Sequence, residues 1–545
     1  LALALVALLA SACSPADSPS FPEEDRLLER LMEEYVTERV RFYPVESTLA
    51  GLPGNDGSLG SFSRSDFARR SAALSDFHKK LIGLKLNALS QPSYLDALWL
   101  TSLVKSELFD LEERRIWERS PSFYGNTIRI GLVALLLAPD VDSRTDALRG
   151  RLEAIPALLE QARENLGAES ESFGREGSRS LAFCQELLTE MPLLLEERVP
   201  SYRVAELAER SRLATRALQL LASRFSEPLS ARAGAGAPLG ADDLGRFFLY
   251  RDMVDWAPER LLREAERMLT EATNAMTELT LDRFPDPSLD AAVSASGATA
   301  SPGEEVARYQ ELLLSLPGRR DEGWPEDPLP VRVVPRYFLA PDQLRLWRKE
   351  SLTPAREAAL LVSSATDGLL SRELQLLTLS EGFGRYREYV QQSGSASLLR
   401  RIFRARTTSE GWLLWYRSRL FERGYAADDP ELWLRHLHQT ALEALRLSVA
   451  VRVHAFGLSV ADAEREFRVR GRLSPERAAL EADRTAVDPG AGSAALGRLL
   501  LEDVASDYLH EHSLTSPADL ETLLLSEGLV PLRLVRFKLL GFESE

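Results

Sequence analysis

The chain has 545 residues, is 45% apolar, and carries 66 Lys and Arg against 82 Asp and Glu, a net charge of −16. That length and apolar content exclude a disordered protein and suffice for one very large core or several ordinary ones. The acidic balance argues against a nucleic-acid binder, because recognition of phosphates needs clustered cations.

In chain order, residues 1–12 (LALALVALLASA) form the apolar stretch and small-residue cleavage zone of a secretory signal, too short to span a membrane. Ala10, Ser11 and Ala12 before Cys13 resemble a bacterial lipobox, in which Cys13 takes the lipid and becomes the mature N-terminus. Leu9 lies four residues before the cysteine where a lipobox prefers three, and plain secretion is the alternative. On either reading the folded part is expected outside the cytoplasm, and a lipidated Cys13 makes it a periplasm-facing lipoprotein of the cell envelope. Residues 13–24 read as a tether. Apolar residues then recur every three to four positions, as in RLLERLMEEYV, RLEAIPALLEQARENL and LAFCQELLTEMPLLLEERV, which predicts amphipathic helices.

An N-terminal helical half is expected over about 25–283, a Pro-, Gly- and Ser-rich linker over about 284–330, and a C-terminal half over about 331–545, the halves being separate or packed as one body. One short strand is predicted at PVRVVPRYFL. The fold class is therefore all-α with at most a minor β element. Cys184, on an apolar helix face, reads as a small core residue.

Several small motifs occur in a telling order: FYPVESTLAGLPGNDG near the start, then PSFYGNTIRIGL, TTSEGWLLWYRSRLFERG, VHAFGLSVADAEREF, VDPGAGSAALGRLLLEDV and LLLSEGLVPLRLV. Together they resemble the bacterial DUF885 family, whose members resemble all-helical zinc metallopeptidases with a central cleft. The resemblance implies a His-Glu-x-x-Pro-Gly-His helix, whose imidazoles bind zinc and whose glutamate polarises water, and a Glu-Gly-Trp helix supplying a third ligand. Here the second element stands as Glu410, Gly411 and Trp412. The first is LSEGFGRYREYV, which places Ser380 and Tyr386 at the two histidines, Glu381 at the general base, and Gly384 and Arg385 at the Pro-Gly. Zinc, the cofactor of relatives, is therefore expected to be absent. His454 and Arg484 match family positions at the cleft, whereas Ala494, Ala495, Leu520 and Glu521 stand where relatives carry Tyr and Phe-His. The pairs His436/His438 and His510/His512 are poor metal sites, since helical residues two apart point roughly 200° from each other.

The expectation is a metallopeptidase-like envelope lipoprotein without catalysis, acting as a peptide-binding or scaffold module through a cleft containing Ser380, Arg385, Tyr386, Trp412, His454 and Arg484. An active hydrolase using Glu381 and Glu410 without conventional zinc ligands is the first alternative. A purely structural envelope protein is the second. The expected partners are a peptide and, through Cys13, a membrane, but no nucleic acid.

Overall fold

The computed structural model describes residues 22–541, apart from 53, 168–169, 226–237, 285–300, 316–324, 340–343, 348–357 and 365–370. Cys13, residues 1–12 and most of the tether lie outside the described residues, as do parts of the linker.

The fold is all-α with a small sheet. Helix starts follow local chemistry. Ser63 and Asp66 form a reciprocal capping box at the helix Arg64–Ile82. Asp429, Ser474 and Ser516 each accept a backbone N–H while a proline occupies the next position, where its missing donor costs nothing. The longest helix, Pro430–Phe456, ends at Gly457, whose φ of 72° needs a residue without a β-carbon. No helix among the described residues is long and apolar enough to cross a membrane.

The predicted strand appears as β1, Val331–Val334, followed at once by the short helix Arg336–Leu339. Two further strands, β2 (Leu344–Trp347) and β3 (Ala359–Ser363), were not signalled by the sequence pattern. The sheet order is β1-β3-β2. β1 runs parallel to β3, with Val331 opposite Leu360, and β2 runs antiparallel to β3, with Leu344 opposite Val362. β3 is buried along its whole length, so its apolar residues do not alternate with polar ones and periodicity cannot separate it from a helix.

The largest apolar core is shared by residues from Leu28 to Phe537. Leu379, Phe383, Trp412 and Tyr416 belong to that same core, so the chemistry-bearing motifs are bedded in the body of the protein. A second core joins the helices Ala241–Asp252, Pro258–Arg283 and Pro430–Phe456. A third, small cluster gathers Leu360 and Val362 of β3 with Val306, Leu374 and Tyr389.

Candidate functional site

The stretch LSEGFG does not continue as an α-helix. Between the helices Ser371–Leu377 and Arg385–Gly394 the backbone winds as a π-helix over Thr378–Gly384, a geometry that recurs at functional sites. Its two glycines face different neighbours. A β-carbon on Gly382 would lie 3.3 Å from Leu360 of β3, and one on Gly384 would lie 3.0 Å from Leu413 and 3.3 Å from Tyr416. Gly384 thus lets the π-helix approach the helix Arg406–Glu422, and its carbonyl accepts from the Trp412 indole N–H at 3.1 Å.

That second helix is held from both sides. Asp252 accepts from the Thr407 backbone N–H at 3.0 Å and its hydroxyl at 2.8 Å, capping the helix from another element. On the other side Ala405 N–H donates to Leu529 O at 2.7 Å and the Thr408 hydroxyl to Val530 O at 2.7 Å. Gly411 sits against Gly497 of the helix Ser493–Glu511, so closely that a β-carbon on either would overlap the other helix's backbone. Glu410 is therefore carried on a helix whose position is fixed by backbone contact.

At the centre lies Arg385. Its Nη2 donates to Glu381 Oε1 at 3.1 Å and to Glu410 Oε1 at 3.3 Å, while Nη1 donates to Glu388 Oε2 at 3.0 Å. Nη1 also donates to the Ser409 hydroxyl, which in turn donates to Glu388 at 3.0 Å. One guanidinium thus joins three carboxylates, from the π-helix, from its own helix Arg385–Gly394 and from the helix Arg406–Glu422. Glu388 has no exposed side-chain surface, and its Oε1 is buried without a hydrogen-bond partner. Desolvation raises its pKa to about 7, against the attraction of Arg385 and Arg404. Glu410 behaves oppositely. Its side chain is 41% exposed, and although desolvation would raise its pKa, Arg385, Arg404, Arg406 and Arg345 hold it down at about 2. Arg406 in turn donates to Asp488 at 2.7 Å.

Glu381, Arg385 and Glu410 therefore come together. Trp412 is buried beneath them, stacked on Tyr416 with centroids 5.3 Å apart. Arg387 lies 5.5 Å from the Trp412 ring and pairs with buried Glu521. Ser380 faces elsewhere, accepting from Arg417 at 3.4 Å. Tyr386 packs against the small cluster around β3. His454 is buried, its Nε2 2.9 Å from Thr485 O, and burial depresses its pKa to about 4. Arg484 is exposed and acts on Glu481 and Asp488 through its charge. His436 stacks on Phe421 and accepts from Arg417, whereas His438 reaches Gly471 O. Among the described residues no group of three His, Cys, Asp or Glu is arranged to hold a metal ion.

Sequence reasoning missed Glu388, Ser409, Arg404 and Asp488. A signal existed for the first: Glu381, Arg385 and Glu388 stand at i, i+4 and i+7, a charge ladder along one helical face.

The family model described as "Bacterial protein of unknown function (DUF885)" matches residues 44–539. The chain belongs to the DUF885 family. No curated protein matches it. Two solved structures share the fold of this DUF885 protein. One, described as a "putative lipoprotein of unknown function", is from Shewanella oneidensis, with 18% identity, a TM-score of 0.74, and coverage of 94% of this chain and 99% of that one. The other, a "putative lipoprotein" from Colwellia psychrerythraea, has 13% identity, a TM-score of 0.79, and coverage of 95% and 98%.

Proposed function

We propose that this DUF885 protein is a non-catalytic envelope lipoprotein that binds peptides at a centre where a guanidinium stands in place of a metal ion. The observation that carries the reading is Arg385, whose donors engage Glu381, Glu388 and Glu410 together. The residues at this centre do not fit the zinc that the family resemblance implies. Ser380 and Tyr386 replace the imidazoles and are engaged elsewhere. The remaining carboxylates are already hydrogen-bonded to a cation that would repel a dication by several kcal/mol, roughly, at an effective dielectric of about 20. The half-exposed Glu410, with exposed Arg404 and Arg345 near it, offers both signs of charge to the ends and side chains of a peptide. Cys13 in its lipobox-like setting, and the description of both structural neighbours as putative lipoproteins, support the anchor.

An acid–base hydrolase has one observation in its favour, the wide separation of the pKa values of Glu388 and Glu410. Against it, Glu388 has no exposed surface with which to touch a substrate. Elemental analysis of the purified protein, together with a peptidase assay and a peptide panel read by melting temperature, tests the proposal. Sub-stoichiometric zinc, no hydrolysis and a rise in melting temperature with some peptides are expected. Stoichiometric zinc or peptide cleavage would refute the non-catalytic reading, and a panel without any stabilising peptide would remove the binding role.

A further inference from the structure

A cavity of about 300 Å³ opens among the Tyr43 turn, the segment 110–117, and residues Phe173, Glu176, Arg251 and Asp488. Its size is at the lower end of small-molecule sites, about 300–1,000 Å³. Its lining is divided by chemistry. Phe67 and Trp117, stacked with centroids 4.5 Å apart, form an aromatic wall with Tyr43, Phe123 and Phe173. A positive pole is built on Asp110, which accepts from Arg114 at 2.6 Å and from Arg251 at 2.6 Å. Two guanidiniums share one carboxylate there, leaving one positive charge over, and Arg251 Nε is buried with no hydrogen-bond partner. A negative pole is Glu176, which accepts from the Ser122 hydroxyl at 2.6 Å. Desolvation raises its pKa, and Asp488 and Asp483 add to the rise against Arg179. Its charge is thus under-compensated. Asp488, between these groups, is already met by Arg406.

A simple anion would leave Glu176 uncompensated, and a simple cation would face the excess charge of Arg114 and Arg251. A ligand carrying both signs satisfies both poles. We propose that this cavity binds a small zwitterion on an apolar body, its primary ammonium at Glu176 and its carboxylate at Arg251 and Arg114. The aromatic wall receives the apolar body and attracts the ammonium through the ring faces, and each pole supplies a charge-assisted hydrogen bond. A free amino acid and an unblocked dipeptide share this chemistry. The inference goes beyond the function proposed above: its poles, Glu176, Arg114 and Arg251, are not partners of Arg385, and the two regions meet through the Arg406–Asp488 pair.

Calorimetric titration of the full folded protein with L-phenylalanine and with the dipeptide leucyl-phenylalanine, beside N-acetylphenylalanine and phenylalanine amide, tests it. At least one unblocked ligand is expected to bind with a Kd of about 1 mM or tighter, and blocking either end is expected to weaken binding by about tenfold or more. Which unblocked ligand binds more tightly identifies the source. In Glu176→Gln the unblocked ligand is expected to lose about tenfold, and the discrimination against the acetylated one to vanish. Absence of binding by both unblocked ligands, equal binding of blocked and unblocked forms, or an unchanged affinity in Glu176→Gln would overturn the proposal. Should Glu176→Gln not fold, the comparison of blocked and unblocked ligands on the native chain decides alone.

Discussion

Replacing Arg385 by methionine keeps most of the side chain's length and apolar stem but removes the cation shared by Glu381, Glu388 and Glu410. Breaking a buried ion pair by removing one partner costs about 3–5 kcal/mol, and Glu388 is the partner left wholly buried. The cost should depend on pH. In the native protein Glu388 has a raised pKa of about 7 against an ordinary 4.5. Between those values the folded state holds a proton that the unfolded state has released, so its contribution to stability is present at low pH and is lost as pH rises through the window. The native shift corresponds to roughly 3 kcal/mol. Without Arg385, which opposes that shift, the pKa of Glu388 rises further, and each additional unit is about 1.4 kcal/mol. Urea unfolding followed by circular dichroism near pH 5 and near pH 8 is the assay. The loss in Arg385→Met is expected to be larger near pH 8 by at least about 1 kcal/mol. An equal loss at both pH values would mean that Arg385 acts through packing, and would refute the electrostatic reasoning.

At Gly411, alanine would gain about 1 kcal/mol of helix propensity, but its β-carbon would overlap Gly497 and lie 2.8 Å from Arg498 N. Overpacking against rigid backbone costs about 1–3 kcal/mol or more, so Gly411→Ala is expected to lower the melting temperature, and a rise would show that the two helices separate freely. Cys184 is buried, donates to Gly125 O at 2.9 Å, and has its thiol pKa pushed up to about 12 by burial. It should resist iodoacetamide in the native protein and react after unfolding, as read by mass spectrometry of its peptide. Comparable labelling of the native protein would contradict its place in the core.

The helices were legible because their signals are local. RLEAIPALLEQARENL carries its apolar stripe in its own text, and Thr145–Asn165 is indeed a helix even with Pro156 inside it. So was the pair of acids in SEG and SEG-W, whose residue types stand in the chain regardless of packing. What could not be read was the company they keep. Arg387 meets Glu521, and Arg385 meets Glu410, only because helices far apart in sequence converge. The π-helix was hidden for a related reason, since Thr378–Gly384 has the composition of an interrupted α-helix, and the neighbours that its two glycines approach, Leu360, Leu413 and Tyr416, lie on other elements. β3 escaped because a strand buried on both faces loses its alternation.

The shared core has a consequence for how the chain is made. Tyr94 lies against Phe537, their ring centroids 6.0 Å apart, and Arg400 clasps Asp96 and Glu527 together. The helix Gln91–Phe109 therefore waits for partners that leave the ribosome more than four hundred residues later. Earlier elements such as the helix Arg64–Ile82, whose Arg70 donates to Glu107 at 2.8 Å, cover part of its surface sooner, but the part that meets Phe537 stays open until the end of the chain is made, and such long-range closure is slow and exposed to aggregation.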